Sequence, residues 1–400
     1  MMSVVNLKQY WPYQRIKIKN MWIDDKAKTT HLEFHPDLSY LAVCSCCKQK
    51  VRKVHSNHHR IIRDLPMGHT ITVICLHYRK VVCPECGIRN EYFDFLAPYS
   101  RVTKRFSQYI FGLCQQMTVY DVAKLVKLSW HQVKAIDHAE LKERHSTINL
   151  SDLELLAIDE TSFLKGHKYI TVVANYQTGQ VLKVVRERDY QAIASIFREL
   201  PNSILNNVKA VVMDMWPAYI KAVKDFCKNA TIVFDKFHVI AAFHKTIDSI
   251  RHQEYLKASK EDKRIFKGSK YLFLRKYSSL NEQEEQVKLQ AIFYRNDLLA
   301  KVYILKDYIN MFWRFDTPRL SEEFILHWCS IAEEVKNSRL NKFVKMVKRY
   351  LYGIVNHSIF QINNARLEGI NNKIKVIKRR AYGYLDFQYF ALKIMQATTN

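Results

Sequence analysis

Glycine and proline are scarce in this chain of 400 residues, at 9 and 8. Disordered and low-complexity segments lean on those two residues, whereas here 48% of the chain is hydrophobic and 12% aromatic. That balance favours packed, helix-rich globular structure. Also missing is any apolar run near the roughly 20 residues of a membrane-spanning helix. Residues 1–20 carry no apolar stretch of the signal-peptide kind, so the chain is expected in the cytosol. No internal repeat is found. Acids are the minority charge: 38 Asp and Glu stand against 63 Lys and Arg, a surplus of +25.

Such a surplus attracts polyanions at long range and speeds their association. Nucleic acid is the first candidate partner, and an anionic membrane, for which there is no spanning segment, is the second. The length exceeds the usual ceiling for one hydrophobic core, which implies several domains.

Nine cysteines in a cytosolic chain point to thiol or metal chemistry, because that compartment keeps isolated thiols reduced. Cys44 and Cys47 form one C-x-x-C pair; Cys83 and Cys86, followed by Gly87, form another. A two-residue spacer lets both thiolates of a pair reach one ion about 2.3 Å away, so the two pairs suit a tetrahedral structural Zn²⁺. Gly87 suits the tight backbone of the second knuckle. Two variants stay open: Cys46 makes the first pair accidental, or one of His55, His58 and His59 replaces a cysteine. Redox chemistry is disfavoured because neither pair sits at a strand-to-helix junction. Catalytic zinc is disfavoured because four protein ligands leave no open position. Cys46, Cys75, Cys114, Cys227 and Cys329 follow no pair spacing and are expected to be small buried hydrophobes.

Along the chain, Arg15 to Ile18 and His31 to Phe34 alternate about the polar Asp24 to Lys28, the pattern of a hairpin arm over residues 1–37. A zinc ribbon is expected over 38–96 and a helix-turn-helix over 97–147. In the latter, Val122, Leu125 and Val126 make one apolar face, Val133 and Ile136 the other, and Thr118 and Ser129 are N-caps. The second helix would turn Trp130, His131, Gln132 and Lys134 towards the base edges and phosphates of a major groove. Paired amphipathic helices also occur in proteins that never meet DNA, but the ribbon and the charge favour the DNA reading.

From residue 153 the pattern becomes βββαβαβ, the order of an RNase H-like α/β core. Its parts are Leu155 to Asp159, Tyr169 to Asn175, Val181 to Arg186, a helix from Tyr190, Val208 to Met213, a helix from Pro217 to Cys227, and Thr231 to Phe234. Residues 148–240 would be the first part of this core, 241–355 an all-helical insertion, and 356–400 the helices that return to the sheet.

Three acids fit one site in that architecture. Asp159 ends the first strand and Asp214 the fourth, which in an RNase H-like sheet lie side by side and parallel. A third acid is expected from a helix over those strand ends, where Leu367, Ile370, Ile374, Ile377 and Ala381 recur as a buried stripe with Glu368 at its edge. Asn364, Glu368, Asn371, Lys375 and Arg379 form the adjacent polar row, suited to DNA phosphates. Three converging acids can hold two Mg²⁺ (or Mn²⁺) ions about 3.5 to 4 Å apart. Each acid alone has an ordinary alternative, a turn former for an Asp after a strand and a solvated side chain for a helical Glu. Glu160 should point to the face opposite Asp159.

At Cys44–Cys47, Arg63–Gly68, Cys83–Cys86, Ala157–Glu160, Val212–Met215, Phe234–Val239, Asn364–Asn371 and Ala381–Tyr384 the sequence resembles bacterial insertion-sequence transposases of the ISL-three type. The resemblance spans essentially the whole chain. It implies a zinc ribbon, a helix-turn-helix and a DDE catalytic domain interrupted by helices, with Asp159, Asp214 and Glu368 as the catalytic acids. The family's D-x-x-H signature falls on Asp235 and His238, where His238 would meet a phosphate or a DNA end, the alternative being a satisfied core imidazole. The implied activity is binding of terminal inverted repeats, cleavage to free 3′-OH ends and their transfer to target DNA, by a dimer or larger assembly in a bacterial cytoplasm. No small-molecule substrate is expected. Two competitors remain, a non-catalytic zinc-ribbon and helix-turn-helix regulator and an RNase H-like nuclease without strand transfer.

Overall fold

Alternation of apolar and polar residues makes the front of the chain a sheet. The computed structural model describes residues 11, 13–145, 150, 152–164, 168–362 and 365–399, in two units, Met1–Ser146 and Thr147–Asn400. In the first unit, β1 (Ile16–Asp24) and β2 (Thr29–Pro36) form the expected antiparallel hairpin. β3 (Ala42–Val43) and β4 (Lys50–Val51) pair with each other, while β5 (Val54–Met67), β6 (Thr70–Cys83) and β7 (Gly87–Asn90) build on the hairpin. The order is β1-β2-β6-β5, with β7 also on β6. Because β2 runs parallel to β6, the hairpin is built into the ribbon's own sheet. Leu32, Phe34, Ile62, Ile74 and Leu76 bury one face against Phe93 and Phe95.

Three helices follow: α1 (Lys104–Gln116), α2 (Val119–Val126) and α3 (Trp130–Arg144). They pack through Phe106, Ile110, Val122, Val126 and Val133, with Ile136 partly buried. Leu125, expected on the apolar face, is exposed, because Val122, Ala123 and Val126 already fill the inward arc of this short helix. Asp64, near the end of β5, ties these helices to the sheet. It accepts from Thr103 Oγ1 at 2.6 Å, Arg105 Nε at 2.8 Å and Trp11 Nε1 at 3.0 Å.

In the second unit, β8 (Leu155–Leu164), β9 (Lys168–Asn175) and β10 (Val181–Arg186) are joined antiparallel. The turn after β9 needs a left-handed residue, supplied by Gly179 at φ +76°. α4 (Tyr190–Glu199) and α5 (Asn202–Asn207) lead to β11 (Ala210–Met213), and α6 (Pro217–Phe226) to β12 (Thr231–Phe234). β11 lies parallel to both β8 and β12. The resulting order, β10-β9-β8-β11-β12, is that of an RNase H-like mixed sheet. β11 is buried along its whole length, so both faces of the sheet must be covered.

One face is covered by α4, α6 and the helices that begin with α7 (Lys236–Lys257) and run to Val355. Phe197, Phe234, Phe243, Trp328 and Phe343 belong to one continuous core, so the helical insertion shares its interior with the sheet. The other face is covered by the helix Ala365–Arg380, through Leu367, Ile370 and Ile374, and by the last helix, Phe387–Thr398, through Phe390 and Ile394. The Glu368 helix stops at Arg380, which leaves Ala381 in the turn beyond it and outside the predicted stripe. No helix among the described residues is long and apolar enough to cross a membrane.

Candidate functional site

The sulfurs of Cys44, Cys47, Cys83 and Cys86 lie within 4.8 Å of one another, and Cys47 Sγ is 3.5 Å from Cys83 Sγ. A tetrahedron with Zn–S bonds of about 2.3 Å has edges of about 3.8 Å, so the four thiols fit a structural zinc. The backbone N–H of Cys46 donates to Cys44 Sγ at 3.4 Å. Burial alone would raise the Cys44 thiol, but the backbone N–H groups of Cys46 and Cys47 bring it down to about 7. Bonding to Cys47 pushes Cys86 up. Thiolates this close repel one another, and a divalent cation relieves that repulsion. None of His55, His58 and His59 joins this cluster. Cys46 is exposed and Cys75 only half-buried, contrary to expectation, because the knuckle turn and the polar sheet face carry them outward; Cys114, Cys227 and Cys329 are buried.

Thr118 and Ser129 cap α2 and α3, and Ser129 forms a full capping box with Gln132. Gln132 Oε1 accepts from the Ser129 N–H at 3.0 Å, which commits that carbonyl to the cap. Trp130, His131 and Gln132 are exposed and Lys134 half-buried, with the Lys134 ammonium 5.4 Å from the Trp130 ring.

In the second unit, β8 and β11 pair in parallel as far as Ala157 and Val212. Asp159 and Asp214 follow just beyond that last pair. β8 continues to Leu164 along β9, so Asp159 sits mid-strand opposite Val172 rather than at a strand end. Its carboxylate accepts from Asn371 Nδ2 at 2.6 Å and from the Glu160 N–H at 2.7 Å. Burial, and then the charge of Asp214, push the Asp159 pKa up to about 6. Glu160 faces away, 3.3 Å from Arg188, whose guanidinium lies 4.4 Å from the Trp216 ring. The neighbours Arg188 and Trp216 had no sequence signal beyond an aromatic close to Asp214.

Asp235 caps α7 by accepting from the Phe237 N–H at 2.7 Å, which puts His238 in the first turn. His238 Nδ1 lies 2.5 Å from Asp214 Oδ1 and 3.1 Å from Asp235 Oδ2. Burial opposes a charged imidazole, but the bonds and charges of the two acids outweigh it and raise His238 to about 10. His238, in a side chain 45% exposed, thus sits between two carboxylates that favour its charged form and is not enclosed in the core. Asp214, Asp235 and His238 form a close cluster that takes in neither Asp159 nor Glu368. Glu368 is exposed in the first turn of its helix, one turn before Asn371. Lys375 and Arg379 are exposed on the same helix. Asn364 lies outside the described residues.

Comparison with known proteins matches residues 156–394 to the DDE transposase of the ISL3 type, 91–140 to the helix-turn-helix domain of transposase family ISL3, and 41–86 to the zinc-finger of transposase IS204/IS1001/IS1096/IS1165. The transposase for insertion sequence element IS1001 of Bordetella parapertussis is 36% identical over 94% of this chain and 93% of that protein. The chain belongs to the ISL3 transposase family. A second relative, the transposase for insertion sequence element IS1557 of Mycobacterium tuberculosis, is 21% identical over 78% of this chain and 75% of its own length. The catalytic core domain of BIV integrase matches 36% of this chain and 98% of its own, at 15% identity and a TM-score of 0.18, too low to carry an argument.

This ISL3 transposase is a DNA-processing enzyme, and its DDE match encloses Asp159, Asp214, Asp235, His238 and Glu368. A DDE domain implies a divalent metal. The acids fit one: Asp159 and Asp214 repel each other in a partly buried setting, and a cation between them removes that cost.

Proposed function

We propose that this transposase binds the terminal inverted repeats of its own element, cleaves them to free 3′-OH ends and transfers those ends to target DNA. Asp159, Asp214 and Glu368 are the acids assigned to two Mg²⁺ or Mn²⁺ ions, which when bound activate the attacking oxygen and stabilise the leaving one. The observation that carries this reading is the juxtaposition of Asp159 on β8 and Asp214 just past the end of the parallel neighbour β11, with Asn371 of the Glu368 helix bonded to Asp159. Asn371 orients the Asp159 carboxylate from outside. With Nδ1 engaged by Asp214 and Asp235, the rest of the imidazolium of His238, in a side chain 45% exposed, offers positive charge to a phosphate oxygen. Lys375 and Arg379 extend that phosphate-binding surface along the helix. Trp130, His131, Gln132 and Lys134 are assigned to the DNA groove. Because two element ends must be joined, a dimer or larger assembly on DNA in the bacterial cytoplasm completes the proposal.

The test is Mg²⁺-dependent cleavage and joining of an inverted-repeat duplex by the wild type and by Asp159→Asn, Asp214→Asn, Glu368→Gln and Glu160→Gln. The amides keep size and lose charge, so the first three should lose cleavage while still binding DNA, and Glu160→Gln should cleave. Cleavage at wild-type rate by Glu368→Gln would remove that residue from the site, and by all three would refute the reading. Cleavage without joining by the wild type would favour a nuclease.

A further inference from the structure

We propose that the polar face of the front sheet carries a second transition-metal site, formed by Glu33, His35 and His77. Glu33 and His35 alternate outward on β2, opposite the buried Leu32 and Phe34. His77 alternates outward on β6 beside the buried Leu76. The parallel register sets Glu33 beside Cys75, which brings His35 and His77 level on neighbouring strands. Their rings stack at 3.9 Å with a 15° tilt.

Both imidazoles aim one nitrogen at one carboxylate oxygen. His35 Nε2 is 2.8 Å and His77 Nε2 3.2 Å from Glu33 Oε1, and the three ligand atoms lie within 4.8 Å of one another. The second carboxylate oxygen accepts from Asn20 Nδ2 at 2.6 Å, the outer support that fixes a ligating carboxylate. Two imidazole nitrogens and one carboxylate oxygen suit Zn²⁺, Co²⁺, Ni²⁺ or Cu²⁺ and not the hard cations of the acid site. The side chains are 24 to 33% exposed, so an ion can enter and keep an open position. Cys75 Sγ lies 3.7 Å from His77 Nε2 and is a further donor beside the three.

The four-cysteine cluster uses none of these residues, so the two sites would hold separate ions. The ion would clamp β2 to β6, the one seam among the described strands of this sheet that runs parallel, and parallel pairs are slightly weaker per residue. The first hairpin would thereby be fastened to the ribbon.

The test is zinc content and zinc X-ray absorption of the full chain, in an Asp214→Asn background so that the acid cluster adds no zinc. About two equivalents, with a first shell mixing sulfur and imidazole, are expected, falling to about one all-sulfur equivalent in His35→Gln/His77→Gln. Co²⁺ loading checks the fold of that variant, since the thiolate-to-cobalt absorption of the four-cysteine site should persist. One equivalent with a purely sulfur shell in the background protein overturns the site without recourse to any variant. Equal zinc content with and without the two histidines overturns it as well.

Discussion

A buried carboxylate stays charged only if its surroundings replace the water it has lost. Asp64 is fully buried, and Trp11, Tyr13, Thr103 and Arg105 surround it. Burial would raise its pKa, but the bonds from Arg105 and Thr103 and the Arg105 charge outweigh that and hold it below the usual value. A depressed folded pKa contributes stability above the unfolded value of about 4 and loses it as pH falls through the folded one. Acid unfolding of the first unit should therefore begin only below about pH 4. Asp64→Ala strands Arg105 and should cost about 3–5 kcal/mol in denaturant unfolding; a loss under about 1 kcal/mol would contradict the role. Asn371 is a positioning residue of the same kind. Its replacement by Ala should lower cleavage roughly 10- to 100-fold and raise the Mg²⁺ requirement, a shift that a purely structural role would not produce. Asp159 and Asp214 were legible as acids closing apolar strand runs. Asp64 was not, because its partners Trp11 and Arg105 lie 53 and 41 positions away, and nor was the pairing of His238, which depends on how Asp235 caps α7.

Local periodicity identified most elements, since it records which face each must bury. The strands Val181–Arg186 and Thr231–Phe234 and the caps Thr118 and Ser129 stand where the pattern put them. Ser129→Ala, which breaks the capping box of α3, should cost about 0.5–2 kcal/mol and weaken DNA binding without touching the acids. What periodicity omits is which strand lies alongside which; hence the hairpin was legible while its parallel seam with β6 was not. The same limit hid Gly353, where a Cβ would overlap the ring of Phe234 on β12. Gly353→Ala should therefore overpack the shared core by about 1–3 kcal/mol, and unchanged thermal stability would show that the helix can shift. In the ribbon, zinc binding is coupled to folding. Cys83→Ser should abolish the zinc of the four-cysteine site and specific DNA binding while leaving the helical signal of the second unit.

At the scale of the whole molecule, the surplus of +25 has to act through phosphates, because long-range attraction carries no base sequence. Each phosphate neutralised by Lys or Arg releases condensed counterions, so log affinity falls linearly with log salt. If the chain meets about six to ten phosphates, affinity for an inverted-repeat duplex should drop roughly 10³- to 10⁵-fold between 50 and 200 mM salt. The slope separates residues by role. Arg379→Ala, if its exposed guanidinium meets a phosphate, should flatten the slope by about one and weaken repeat and random duplexes alike. Trp130→Ala, which removes a neutral exposed side chain and leaves the Ser129–Gln132 cap in place, should leave the slope unchanged and narrow the gap between repeat and random DNA, since a groove contact carries sequence and no charge. Asp159→Asn, which removes one negative charge near the DNA path, should not weaken binding at low salt even though it stops cleavage. Fluorescence anisotropy of the full-length variants across the salt series measures all three. A flat salt dependence for the wild type would show that the charge surplus serves something other than DNA.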